Sequence, residues 1–398
     1  MGIKSIFGHL ELSCNPGLKS LRGLDSIISI RRTLRVEGNE NLRVIDNLPR
    51  LTTIGERLVV VEKNINKIEL PSIRDTILDV FLTSEDTLRP EFLSRINHLR
   101  VLDLSGPLLL ENLLNIERIR TINISQNPLI PNLTCFRNSS LNNINSIVIN
   151  SCPNLINIYG LPQLDSLTVL AIRNCPLESD FLGDNSEIKL ASIGLSGIPN
   201  MVDLHWIENV EISSALHIYD NPHLQSLNGL NSKSVISYCL YLTGNPKLTD
   251  ISALNSININ SIDCFGHGIM DNPKLEMCSY SSICNFISEN IGVIRIGRNA
   301  PGCNSEAEVL EACALVSTED ESDTPLASIS LYPNPAHDWV MIRGVADLYS
   351  VRLLDMMGRQ LRYTSSDRMD LTDLDAGMYV VQIESANGRR LTTKLIKK

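Results

Sequence analysis

Residues 216–222 read Leu216-His217-Ile218-Tyr219-Asp220-Asn221-Pro222, and residues 240–246 read Leu240-Tyr241-Leu242-Thr243-Gly244-Asn245-Pro246. Each stretch has apolar residues two apart, an asparagine three positions on, and then proline. Apolar alternation over three positions makes a short strand with one face inward, and the asparagine falls where the chain leaves that strand. The same unit stands at Leu10-x-Leu12-x-x-Asn15-Pro16 and Ile122-x-Ile124-x-x-Asn127-Pro128. Further copies end at Asn39, Asn64, Asn272 and Asn299, and in two the asparagine gives way to Cys152 and Cys175. Degenerate copies put Glu85, Pro107 and Ile198 in that place. These anchors run from residue 15 to residue 299. They recur about every 24 residues, the period of stacked-repeat proteins.

A unit this short cannot bury its apolar face alone, so neighbouring copies must cover it. Stacked at about 4.8 Å, the copies form a parallel sheet. The asparagine amides then satisfy backbone groups of adjacent coils that would otherwise be buried unpaired. A second inward leucine follows at Leu18, Leu42, Leu155, Leu224, Leu248 and Leu275, and pieces such as Gly23-Leu24 and Gly160-Leu161-Pro162 mark the return side. Few stretches carry the periodicity of a long helix. The expected fold class is mainly β, a β-solenoid of about 12–13 coils over residues 1–276. The Asn-Pro-x-Leu units and short return segments resemble leucine-rich repeats of the receptor L-domain type, and the resemblance covers about residues 5–310. It implies a right-handed solenoid and names no ligand.

Composition narrows the function. The chain has 398 residues, 43% hydrophobic and 20% charged, which excludes disorder along its whole length. Aromatic residues make up only 5%, which suits a core of layered Leu and Ile. A net charge of -10 argues against nucleic acid as a partner. No transmembrane segment is expected, since no apolar run is long enough. The first twelve residues do not read as a signal peptide. Because Leu10–Asn15 already looks like a repeat strand, a longer upstream start with an export signal and an N-terminal cap is expected.

Four of the ten cysteines, Cys278, Cys284, Cys303 and Cys313, fall in residues 277–313. This segment also holds a predicted helix through Ile287 and a last strand Ile294-x-Ile296, and reads as the cap that an array needs to keep its last coil from water. The four cysteines are read as two disulfides, with four buried thiols as the alternative. Cys152 and Cys175 sit at equivalent places on adjacent coils and are read as ladder substitutions rather than as a bridge.

Residues 314–326 read as an acidic linker, from Ser317-Thr318-Glu319-Asp320-Glu321-Ser322-Asp323-Thr324. In residues 327–398 the periodicity changes to short strand-like runs parted by turn signals, which predicts a small antiparallel β-sandwich. Its ordered motifs are Leu331-Tyr332-Pro333-Asn334-Pro335, Leu354-Asp355-x-x-Gly358-Arg359, Leu371-x-x-Leu374-x-Ala376-Gly377-Met378-Tyr379 and the basic end Lys394-Leu395-Ile396-Lys397-Lys398. Together they resemble the type A sorting domain of the type IX secretion system of Bacteroidota. The resemblance implies the type IX machinery as a partner, export across the outer membrane, removal of the domain near the linker, and release or attachment at the cell surface.

No catalytic constellation was found. The seven histidines form no His-Glu-x-x-His pair, the glycines form no phosphate cradle, and Gly194-Leu195-Ser196-Gly197 has the wrong spacing for a nucleophile elbow. His267 reads as a core histidine. No enzyme activity, metal or cofactor is expected. Asp25-Ser26-Ile27, Asp75-Thr76-Ile77, Asp86-Thr87-Leu88 and Asp165-Ser166-Leu167 resemble a short glycosylation motif of proteins exported by the same bacterial group. The expectation is a surface or secreted binding protein recognising an extracellular protein or glycan. Its contact face would use the outward positions Arg35, Glu37, Asp103, Asn123, Arg173, His217, Tyr219, Tyr241 and Arg295. A structural spacer without a ligand and the non-catalytic fragment of a larger secreted enzyme are the alternatives.

Overall fold

A computed structural model describes all residues except 1, 74–76, 112, 114, 138–140, 142–143, 162–163, 184–186, 260–267, 289–294, 320–329, 333, 344–347, 356–358 and 386–389. His267, Ile294, Pro333, Gly358, Asp75 and Thr76 lie outside the described residues. The chain forms two compact units, Met1–Cys313 and Ala314–Lys398.

The first unit is a β-solenoid built on one parallel sheet of 13 strands that follow each other in chain order. They are β1 (Leu10–Ser13), β2 (Thr33–Glu37), β3 (Arg57–Val61), β4 (Asp79–Thr83), β5 (His98–Ser105), β6 (Arg118–Ser125) and β7 (Ser146–Asn150). Then come β8 (Ser166–Arg173), β9 (Lys189–Ser196), β10 (Glu211–Tyr219), β11 (Cys239–Thr243), β12 (Ile269–Met270) and β13 (Ile296–Gly297). Register stacks like on like. Leu12, Val36, Val60, Leu82, Leu104, Ile124, Ile149, Ile172, Leu195, Ile218, Leu242, Ile269 and Ile296 form one continuous inward column. From Val36 to Ile269 its members are at most 1% exposed. Each such side chain contributes about 1.5–3 kcal/mol of burial, which is why the alternation dictates the stack. The return side is closed by short parallel pairs such as Ser29–Ile30 with Thr53–Ile54, and by 3-10 turns at Glu91–Arg95, Thr134–Phe136, His205–Ile207 and Ser252–Ser256.

The asparagines form a ladder. The backbone N–H of Asn221 donates to Oδ1 of Asn245 at 3.1 Å, that of Asn245 to Asn272 at 3.0 Å, and that of Asn272 to Asn299 at 2.9 Å. Each amide nitrogen donates back to a strand carbonyl of the preceding coil, as Asn245 Nδ2 does to Ile218 at 3.1 Å. Ile198 lacks the amide, yet its N–H reaches Asn221 Oδ1 at 3.0 Å. At the other end Asn15 N–H reaches Asn39 Oδ1 at 3.1 Å. Asn127 is buried and its Nδ2 donates to the Leu108 carbonyl at 2.8 Å. Cys152 and Cys175 are buried free thiols, and Cys175 donates to the Arg173 carbonyl at 3.1 Å. Contact with Cys152 and burial hold the Cys175 thiol well above the ordinary thiol range.

One backbone device aims these amides inward. The residue before the ladder position is left-handed in Cys14, Gly38, Gln126, Ser151, Asn174, Gly197, Asp220, Gly244, Asp271 and Arg298, with φ between 51° and 70°. The third and fourth coils lack that turn, and here the expectation fails. Asn64 does not enter the ladder: its amide donates to the Glu40 carbonyl at 3.0 Å on the surface. Glu62, only 3% exposed, takes its place and accepts the Asn39 N–H at 2.8 Å and Asn39 Nδ2 at 2.7 Å. In the next coil buried Ser84 replaces the anticipated Glu85, donating to the Ile65 carbonyl at 2.7 Å. Without a left-handed residue to flip the chain, the side chain one step after the strand points inward, and a longer or smaller polar group serves.

The cap contains α1 (Ser281–Ser288) and α2 (Glu306–Glu319). Cys278 is bonded to Cys303 and Cys284 to Cys313, and Cys239 is disulfide-bonded as well. Helix α2 continues to Glu319, so the segment expected to be linker from residue 314 begins as helix.

The second unit holds β14 (Ser330–Tyr332), β15 (Trp339–Arg343), β16 (Leu348–Leu354), β17 (Gln360–Thr364), β18 (Arg368–Asp370), β19 (Gly377–Ser385) and β20 (Arg390–Lys397). They make two antiparallel sheets, ordered β14-β15-β18 and β17-β16-β19-β20. Val340, Val351, Leu353, Val381 and Leu395 share their core.

Candidate functional site

Inward columns imply outward ones. Between the two inward residues of each strand lies an outward column: Glu11, Arg35, Val59, Phe81, Asp103, Asn123, Val148, Ala171, Gly194, His217 and Tyr241. Two residues further on in each strand, a second column carries Glu37, Asn150, Arg173, Ser196 and Tyr219. The structure therefore sorts the nine expected contact residues into separate groups.

The first group is charged. Arg35 is paired with Glu37, and its Nε lies 3.9 Å from Glu11. Asp103 and Asn123, adjacent in the central column, are joined by a 2.9 Å hydrogen bond from the amide nitrogen. Arg295 is exposed just before β13, and the register of Ile296 with Ile269 and Leu242 sets it two coils beyond Tyr241.

The second group is aromatic. The Tyr219 and Tyr241 rings are 5.2 Å apart and inclined at 33°, and His217 meets Tyr241 edge-on at 6.0 Å. The Arg173 guanidinium lies 5.8 Å from the Tyr219 ring. Arg173 is on β8 and Tyr219 on β10, so this contact bridges β9. Below it the outward residues are small, and Ser196 is 5% and Ala171 7% exposed although both face out of the sheet. Larger neighbours therefore lie over them. A Cβ at Gly194 would already touch Ala171 Cβ at 3.6 Å and His217 Cβ at 3.8 Å. Burial among these groups, with Asp220 nearby, pushes the Tyr241 phenol above its ordinary range.

A third arrangement went unread in the sequence. Asp79 is 1% exposed and receives Arg57 Nε at 3.1 Å and Arg100 through Nε at 2.8 Å and its terminal nitrogen at 2.6 Å. Its partners sit on the coils before and after, so only register brings them together. Ser196, in register between Arg173 and Tyr219, was missed for the same reason. Among the described residues no group of three or more His, Cys, Asp or Glu is arranged to hold a metal, and no helix is long and apolar enough to cross a membrane.

In the second unit the expected motif residues fix turns. Asn334 Oδ1 accepts the Ile396 N–H at 2.9 Å and precedes a cis peptide bond to Pro335. Ala336 donates its N–H to Ile396 and accepts that of Lys398, tying the chain end to this turn. Asp355 accepts the Arg359 N–H and Nε, each at 2.9 Å, closing the hairpin between β16 and β17. Tyr379 donates its hydroxyl to the Asp375 carbonyl at 2.7 Å, Leu374 packs against the core, and Gly377 opens β19. Lys394 lies in β20, opposite Val380.

Residues 330–398 match the family of secretion-system C-terminal sorting domains. This domain supports export by the type IX route to the secreted or cell-surface compartment and implies contact with that machinery. No curated protein matches the chain.

Proposed function

We propose that the chain is an exported recognition protein. The type IX machinery delivers it to the cell surface or medium, and the outward face of its leucine-rich solenoid binds an extracellular protein or glycan without catalysing a reaction. One observation carries the reading: the His217, Tyr219 and Tyr241 rings are gathered on the outer face of a rigid parallel sheet, in a chain that also bears an export domain. Aromatic anchors on a rigid support dominate binding surfaces because they present large area at little entropic cost. Tyr241 packs in part against the apolar core, and Tyr219 and His217 are not part of that core.

The test is binding of purified full-length protein to arrays of extracellular proteins and glycans, beside the Tyr219→Ala/Tyr241→Ala double variant. Truncating an anchor costs about 2 kcal/mol, so a specific contact weakens by about thirtyfold. Equal binding by both proteins, or none by either, favours the spacer reading. Turnover of any arrayed substrate would end the non-catalytic one.

A further inference from the structure

The sorting domain has two outer sheet faces, and they differ. Alternation along each strand sends one set of side chains into the shared core and the other out toward solvent. On the sheet β14-β15-β18 the outward aromatic residue is Trp339, in register with Asp370. The Arg368 guanidinium lies 4.6 Å from its ring centroid and shields that apolar surface with a charge.

The sheet β17-β16-β19-β20 leaves its outward side open. Among the described residues of the domain, the exposed large hydrophobics are Tyr363, Met378 and Ile396, at 57%, 44% and 38%. Register puts all three on this one face. Met378 stands directly opposite Ile396, and Val380, two residues on, stands opposite Leu354. Val380 and Leu354 are half-buried, so the apolar surface runs unbroken across β16, β19 and β20. Tyr363 flanks it on β17, opposite Arg352. The core does not need these residues: the inward set, Val351, Leu353, Val381, Ile383 and Leu395, is at most 1% exposed. A contiguous apolar patch left outside a complete core marks a surface that meets a partner.

Charge gives the sign of that partner. After Glu384 the chain carries Arg389, Arg390, Lys394, Lys397 and Lys398 and no acid, so β20, which brings Ile396 to the patch, is basic throughout. Residues 330–398 hold ten Lys and Arg against eight Asp and Glu, in a chain whose net charge is -10. An apolar centre with a cationic border is complementary to an apolar centre with an acidic one. The family match supplies the partner's class, since a sorting domain implies contact with the type IX machinery.

We propose that Leu354, Met378, Val380 and Ile396, flanked by Tyr363, form the face on which the sorting domain docks to a component of the type IX machinery, through an apolar surface of that component bordered by acidic side chains. This rests on the export reading above and gives it a surface.

The experiment expresses the full-length chain in the producing bacterium as the parent, without residues 330–398, and as Met378→Glu, Met378→Leu and Arg368→Gln, with export measured by fractionation and thermal melting of each. Met378→Glu should be exported about tenfold less or worse, at an unchanged melting temperature. Met378→Leu, which stays apolar, and Arg368→Gln, on the other sheet, should be exported like the parent. A photo-crosslinking phenylalanine analogue in place of Tyr363 reads the contact directly and keeps the proposal testable if Met378→Glu unfolds. Its expected product joins the chain to a component of the secretion machinery identified by mass spectrometry. Normal export of Met378→Glu, an equal loss in Arg368→Gln, or no crosslink overturns the docking face. A crosslink to the solenoid of the same chain or to a second copy overturns the assigned occupant. Export of the chain lacking residues 330–398 overturns the export reading itself.

Discussion

Asn245 shows what one side chain does for this fold. It accepts from Asn221, donates to the Ile218 carbonyl and donates to Asn272 Oδ1 at 3.2 Å, all buried. Removing it strands a donor and a carbonyl in the core, at about 1–3 kcal/mol for each unsatisfied group. Asn245→Ala should therefore lower stability by several kcal/mol in urea denaturation. Asn64→Ala, whose amide touches only a surface carbonyl, should change it by less than about 0.5 kcal/mol. The two asparagines look alike in a linear reading because the repeat's spacing there allows either. What separates them is a left-handed backbone residue, which the sequence signals only weakly through Gly, Asn or Asp before the ladder position. Glu62 carries the pH dependence. Burial raises its pKa above 4.5, against the hydrogen bonds from Asn39 that lower it. A pKa raised on folding favours the fold below the unfolded value and forfeits that advantage as pH climbs through the folded one. Glu62→Gln keeps an acceptor for Asn39 and should raise the melting temperature at pH 7, with the difference vanishing below about pH 4.

The cap is where single elements decide stability. Helices α1 and α2 are joined through Cys284 and Cys313, and the Cys278–Cys303 bond ties the start of the cap to the last ladder turn, where Asn299 Nδ2 donates to the Cys303 carbonyl at 2.9 Å. Loops of 25 and 29 residues place each bond at about 3.5 kcal/mol in the chain-entropy account. Cys284→Ser/Cys313→Ser should cost about that much, and hydrogen exchange should show α1 losing protection before β1 to β11 do. That the four cysteines pair was legible from their clustering. Which pairs with which was not legible, because four cysteines allow three connectivities and spacing alone does not choose among them. The contact face divides in the same way. The outward positions were legible strand by strand, whereas the Asp79 clamp and the small-residue bed under Tyr219 exist only across strands.

At the scale of the molecule, two units of different periodicity share one chain; the solenoid was readable because it repeats one rule many times, and the sorting domain because its single-copy motifs stand in order. The export assignment predicts that removing residues 330–398 leaves the solenoid folded but retained in the cell, measured by fractionating the producing bacterium. Asn334→Ala, which frees the last strand at the Ile396 N–H, should reduce export without touching the solenoid. The covalent bonds of the first unit are also unevenly placed. Cys239 and both cap pairs lie in its last third, while Cys14, Cys135, Cys152 and Cys175 are free. Since every coil rests only on its neighbours, what loosens one stretch of the stack need not reach another. A reducing agent added to the exported protein would therefore soften the rear coils and leave the middle of the array, where the cysteines carry no bond, as firm as before.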